Sequence, residues 1–150
     1  MYTKEQLSKY PYFEEVLRTR DISNVIDSLT GLVSRRHMVG FIQHLVENKV
    51  PFTLALLDLD NFKFINDTYG HIAGDDALQT VATVLRRLDW DGAVSARIGG
   101  DEFLLFLPCC DEAGARRVIA AIEEDLALLN RENGTKYEAA MSTGWYTTML

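Results

Sequence analysis

The stretch AVSARIGGDEFLLFLP, residues 93–108, reads as a β-hairpin around which the other elements are arranged. Two β-rich runs, AVSARI (93–98) and FLLFLP (103–108), flank Gly99, Gly100, Asp101 and Glu102, a glycine-containing connection of hairpin length. Upstream, FTLALLDLD (52–60) is too continuously apolar for a half-exposed strand. It reads as a central strand buried on both faces that ends abruptly in carboxylates. Between them, DDALQTVATVLRRL (75–88) opens on acids and carries Leu78, Val81, Ala82, Leu85 and Leu88 along one helical face. Beyond the hairpin, Ala115, Val118, Ile119, Ile122, Leu126 and Leu129 mark a long amphipathic helix that should stop near Asn133 and Gly134. A last strand is expected over roughly 136–147. The order βαββαβ predicts an α+β sheet with flanking helices.

Towards the N-terminus, Met38, Phe41, Ile42, Leu45 and Val46 repeat at helical spacing behind Ser34, an expected N-cap, and Asn48 with Pro51 ends the pattern. Residues 1–26 are polar, with Phe13, Val16 and Leu17 near helical spacing, and read as a linker helix outside the core. That leaves 27–150 as the folded domain. A length of 150 residues fits one core, since two domains would each be too small. The 15 Lys and Arg against 22 Asp and Glu give a net charge of −7, without the basic surplus that binding a nucleic-acid polymer requires. An acidic protein that handles a phosphorylated small molecule must cancel charge locally, usually with a divalent cation held by carboxylates. Cys109 and Cys110 are adjacent, so they neither staple distant segments nor match zinc spacing, which favours a reducing, cytoplasmic setting. No run approaches the ~18 apolar residues that mark a membrane-crossing helix, so no membrane partner is expected within this sequence.

Asp58 and Asp60 stand two apart at the end of the buried run, where strand alternation points both to one face. Alone they are ordinary acids of a strand end. Pairing of the hairpin with the 52–58 strand would bring Asp101 and Glu102 to the same edge, and carboxylates converging there repel unless a cation sits between them. Gly99 and Gly100 have two readings: they supply the positive φ of a tight turn, or their missing side chains admit a base or phosphate against the backbone.

These residues fall in three motifs that resemble one family. RIGGDEF (97–103) carries the GGDEF signature of the diguanylate cyclases. DSLTGLVSRR (27–36) resembles that family's D-x-L-T-G-L-x-N-R-R opening, with Ser34 for the usual Asn. LLDLDNFKFINDTYGHIAGD (56–75) is similar to its D-x-D-x-F-K-x-x-N-D-x-x-G-H-x-x-G-D block. The resemblance implies a palm-like, nucleotidyl-cyclase-like sheet. It also implies a reaction, two GTP molecules condensed into cyclic di-GMP with release of two pyrophosphates, by attack of a 3′-hydroxyl on an α-phosphate across a homodimer. By the same resemblance, Asp58 and Asp101 would ligate Mg²⁺ or Mn²⁺ by side chain, and Leu59 by its carbonyl. Glu102 would join them as ligand or base, and either Asp101 or Glu102 would take the 3′-hydroxyl proton. Lys63 would stabilise charge on the reacting phosphates, Asn66 and Asp75 would bond the guanine edge, and His71 and Phe62 would line that pocket. Gly99 and Gly100 would lie against the nucleotide. An amide and a carboxylate suit guanine, whose edge offers two donors beside its acceptors.

The sequence departs from the family pattern in two places. The product-inhibition motif, Arg-x-x-Asp, reads here as WDGA, with Trp90 and Ala93 in place of the charged pair, so no feedback site is expected. Family members also continue with a helix resembling A-D-x-A-L-Y-x-A-K-x-x-G, whose Lys and a following Arg reach the triphosphate. The sequence given ends at Leu150, ahead of any such segment, and the expectation is a shortened domain without the C-terminal helix and strand, from a longer parent with a sensor or output domain. A second reading is a catalytically silent GTP-binding regulatory module. The intact signature favours the enzyme.

Overall fold

The computed structural model describes residues 1–148. Its elements run α1 (Lys4–Leu7), α2 (Pro11–Leu17), β1 (Val33–Ser34), α3 (Arg35–Glu47), β2 (Phe52–Leu59), α4 (Phe62–Tyr69), α5 (His71–Arg86), β3 (Val94–Arg97), β4 (Glu102–Pro108), α6 (Glu112–Asn133) and β5 (Met141–Thr147). The strands form one mixed sheet in the order β1-β3-β4-β2-β5, in which only the β1–β3 pair is parallel. The expected α+β architecture is present, with β2 inside the sheet between β4 and β5 and the β3–β4 hairpin against it; the middle strand is β4, not β2.

Alternation along the strands makes two unlike faces. Ala55, Leu57, Leu59, Phe103, Leu105 and Leu107 share one face and are all buried, beneath α5 and α6, which pack on each other and on β2, β3 and β5. Phe106 points to the other face, where the Phe41 ring of α3 meets it edge-on at 5.0 Å. That second face is covered only in part, for Leu56 is 47% and Tyr146 67% exposed.

The local chemistry sets the helix ends. Asp111 caps α6 by accepting from the Gly114 amide at 2.8 Å, and Gly134, at φ 61, ends it where expected. Ser34 occupies the N-cap position of α3, yet its hydroxyl makes no capping bond. Three further expectations are corrected. Residues 1–26 are not one linker helix outside the core: Pro11 starts a second short helix, and Leu7, Phe13, Leu17 and Val25 are buried. The polar stretch before residue 75 holds a further helix, α4, and α5 begins at His71. The last strand is shorter than expected and starts at Met141. Among the described residues no helix is long and apolar enough to cross a membrane.

Candidate active site

The acidic residues meet where β2, β4 and β5 end. Asp58 stands opposite Glu102 on β4 and opposite Ser142 on β5. The turn that carries Asp101 is tied down by backbone bonds. Leu59 N–H donates to the Asp101 carbonyl at 2.9 Å, while the Ile98 and Gly99 amides donate to the Glu102 carbonyl at 2.9 and 3.3 Å. Partial desolvation at the sheet edge, the charges of Asp101 and Glu102, a hydrogen bond with the Asp101 carboxyl, and the charge of Asp60 together raise the Asp58 pKa above the usual carboxylate value. Asp60 itself lies past the end of β2, and its carboxylate accepts from Ser142 Oγ at 2.6 Å.

The two signature glycines play different parts. Neither lies in the left-handed region, so the turn does not need them for positive φ. A Cβ on Gly99 would stand 2.8 Å from Glu102 Oε1, so its absence lets the Glu102 side chain fold against the turn. A Cβ on Gly100 would meet nothing within 4 Å, which leaves that backbone open to solvent.

Arg97 braces the same turn from behind. Its Nε and Nη2 donate to the Gly100 carbonyl at 3.2 and 2.9 Å, and Nη1 pairs with the Asp27 carboxylate at 3.4 Å. Asp27 also accepts from the Thr30 amide and hydroxyl at 2.9 and 2.7 Å. Burial pushes its carboxyl up, but the Thr30 bonds and the Arg97 guanidinium outweigh it and hold the pKa below the usual value. Sequence reasoning missed this link, although both partners sit inside the quoted motifs and carry opposite charge.

A second group of residues lies on α4 and α5. Asn61, at φ 58, turns the chain out of β2. Phe62 then packs against the core while Lys63 stays exposed. The α4 N-terminus brings unpaired amides beside the end of β2. Asn66 rests on Gly74, where a Cβ would stand 1.9 Å from Asn66 Oδ1. Gly70, at φ 94, makes the bend into α5. His71 and Asp75 follow, one turn apart and both exposed. Among the described residues no hydrogen bond engages the side chains of Lys63, Asn66, His71 or Asp75. The structure thus brings Asp58, Asp101 and Glu102 together, and seats Asn66 beside the residue preceding Asp75. The signal for α4 is present in the sequence, where Phe62, Ile65 and Tyr69 keep helical spacing.

A cleft of about 510 Å³ between α5 and α6, lined by Thr80, Asn133 and Tyr137, lies apart from this chemistry. The convergent acids at the open sheet edge mark the better candidate. Among the described residues no three His, Cys, Asp or Glu side chains form a metal-holding group. Two carboxylates and a carbonyl nevertheless suit Mg²⁺, which is usually held by one or two carboxylates plus substrate phosphates and water, not by an all-protein cage. At the family's feedback position, Trp90 is half-buried and its Nε1–H donates to the Pro108 carbonyl at 3.1 Å. The Tyr10 hydroxyl donates to the Gly92 carbonyl in the same segment.

Comparison with known proteins points to one family. The family model described as "Diguanylate cyclase, GGDEF domain" matches residues 24–149. The chain is 35% identical over 113 residues to the diguanylate cyclase VdcA of Vibrio cholerae, covering 73% of this chain and 33% of that protein. It is 40% identical over 98 residues to DgcZ of Escherichia coli, covering 64% and 33%. It therefore spans about a third of the length of these relatives. Among solved structures, the GGDEF domain of DgcB from Caulobacter crescentus, in complex with c-di-GMP, superposes with a TM-score of 0.71 at 28% identity, covering 84% of this chain and 77% of that one. The diguanylate cyclase SiaD from Pseudomonas aeruginosa, with its activator SiaC, gives 0.76 at 28% identity, covering 92% and 56%.

Proposed function

Because this chain belongs to the GGDEF-domain diguanylate cyclase family, we propose that it condenses two GTP molecules into cyclic di-GMP and two pyrophosphates, with one GTP held by each domain of a homodimer. The observation that carries the reading is the meeting of Asp58, Asp101 and Glu102 at one sheet edge, beside a turn whose Gly100 backbone is open.

In this reading Asp58, Asp101 and the Leu59 carbonyl would hold Mg²⁺ or Mn²⁺. The crowding that raises the Asp58 pKa supports that assignment, since a cation relieves it. Bound there, the metal would spread the negative charge of the α-phosphate and favour the deprotonated 3′-oxygen. Glu102, exposed beside the turn, or Asp101 takes the proton from the attacking hydroxyl. Lys63, exposed and without a hydrogen-bond or ion-pair partner among the described residues, places positive charge towards the departing pyrophosphate. Asn66 and Asp75 select guanine by its donors, His71 and Phe62 close the base pocket, and the open backbone at Gly100 lets the nucleotide approach. The chain would work as one module of a longer signalling protein, consistent with the share of its relatives that it spans.

The test is product identity. Purified protein incubated with GTP and Mg²⁺ should yield cyclic di-GMP by mass, and Asp101→Ala should abolish it. GTP bound but returned unchanged would favour a silent regulatory module instead.

A further inference from the structure

Tyr2, near the start of the N-terminal arm, bonds to the fold at two places that flank Arg97. The first is on β3. Because β1 is only two residues long and pairs with Ala96 and Arg97, the preceding amide, that of Ser95, finds no strand partner on that edge. The Tyr2 hydroxyl supplies one: Ser95 N–H donates to it at 2.9 Å, and the phenol lies 2.8 Å from Ser95 Oγ. The second point is the loop that holds Asp27. Tyr2 N–H donates to the Gly31 carbonyl at 2.9 Å, and the Gly31 amide donates to the Asp27 carbonyl at 2.8 Å. Gly31 is at φ 71, and a Cβ there would come within 2.3 Å of Met1 Cβ, so the arm lies directly on it. Tyr2 is only 9% exposed.

We propose that Tyr2 is a positioning residue for the catalytic turn, acting through β3 and the Asp27 loop on Arg97, and through Arg97 on Gly100. The proposal rests on the cyclase reading of the site. Arg97 reaches both Gly100 and Asp27 with one planar guanidinium, so a shift of either β3 or the Asp27 loop is felt at the turn. Tyr2 fixes both supports at once. A change in the arm therefore alters where Asp101 and Glu102 stand without touching either of them, which makes the arm a point of control over the reaction rate.

The experiment is hydrogen exchange without nucleotide on wild type and Tyr2→Phe, which keeps the ring and removes the hydroxyl. The amides to follow are Ile98 and Gly99, bonded to the Glu102 carbonyl, and Leu59, bonded to the Asp101 carbonyl. Roughly tenfold faster exchange is expected at these three, the factor that corresponds to one buried amide left without its partner, with the mid-strand amides of β4 unchanged. In turnover, kcat should fall while the KM for GTP holds. Unchanged exchange at the three amides, or exchange raised equally along β4, overturns the proposal. If Tyr2→Phe does not fold, Ser95→Ala is the second variant: it removes the Oγ partner of the phenol and leaves the amide bond, so a smaller rise is expected at the same three amides, and no rise there overturns the proposal. Exchange is read without turnover, so a wild type that makes no cyclic di-GMP counts against the cyclase reading and leaves this test intact.

Discussion

Asn66 lies over Gly74 so closely that its Oδ1 would stand 1.9 Å from a Cβ on that glycine. Helix α5 thus gives up a side chain so that α4 can present an amide beside Asp75. Gly74→Ala should displace Asn66 and raise the KM for GTP about tenfold, the cost of one misplaced polar contact. Alanine is the better helix former, which offsets part of the strain, so thermal stability should change little. Steady-state kinetics with GTP, with ATP as competitor, check both the loss and the relaxed base preference.

This relationship also shows what the sequence conveys. The strands within 52–108 were legible as apolar runs, and the four-residue connection marked the hairpin; the meeting of Asp58 with Asp101 and Glu102 followed only if that hairpin pairs with the 52–58 strand, a pairing the structure supplies through β4. The contact of Asn66 with Gly74 was not, because it joins two helices whose packing angle no periodicity encodes. The same holds for the arm. Phe13 and Leu17 keep helical spacing, but their polar neighbours conceal that they are buried, and Pro11 divides what reads as one helix into two.

Asp58 and Asp27 should respond to pH in opposite senses. The raised pKa of Asp58 means that its ionised form is disfavoured in the folded chain, so the associated stability is present below the ordinary value of 3.8 and lost as pH rises through the raised one. Asp58→Asn should therefore raise the melting temperature of metal-free protein at neutral pH, an advantage that vanishes in acid, while cutting turnover about 100-fold or more. Asp27, held low, contributes stability above 3.8 that is lost as pH falls through its lowered value. Asp27→Asn should thus destabilise at neutral pH and converge with wild type in acid. Denaturation across pH for the three proteins checks the signs.

The arm belongs to the core. Phe13 is fully buried, with its ring centroid 4.8 Å from that of Phe41. Phe13→Ala should cost about 3–5 kcal/mol by loss of transfer energy and opening of a cavity. Urea unfolding checks this: a loss near zero would place residues 1–26 outside the folded unit.

Product feedback should be absent at the position the family uses for it. Trp90 is committed to the Pro108 carbonyl, Ala93 offers no carboxylate, and Tyr10 bonds the intervening Gly92. Initial rates measured with added cyclic di-GMP should show no saturable, high-affinity inhibition. Restoring the charged pair with Trp90→Arg and Ala93→Asp is the comparison that would reveal it.

In the proposed reaction two copies of this acidic turn, each with one GTP, perform the condensation. It is tested most directly by following cyclic di-GMP and pyrophosphate together, from GTP and Mg²⁺, across a range of protein concentrations. Two pyrophosphates are expected for each cyclic dinucleotide, with a specific activity that rises with protein concentration as dimers form. Folded protein that returns GTP unchanged at every concentration would contradict it.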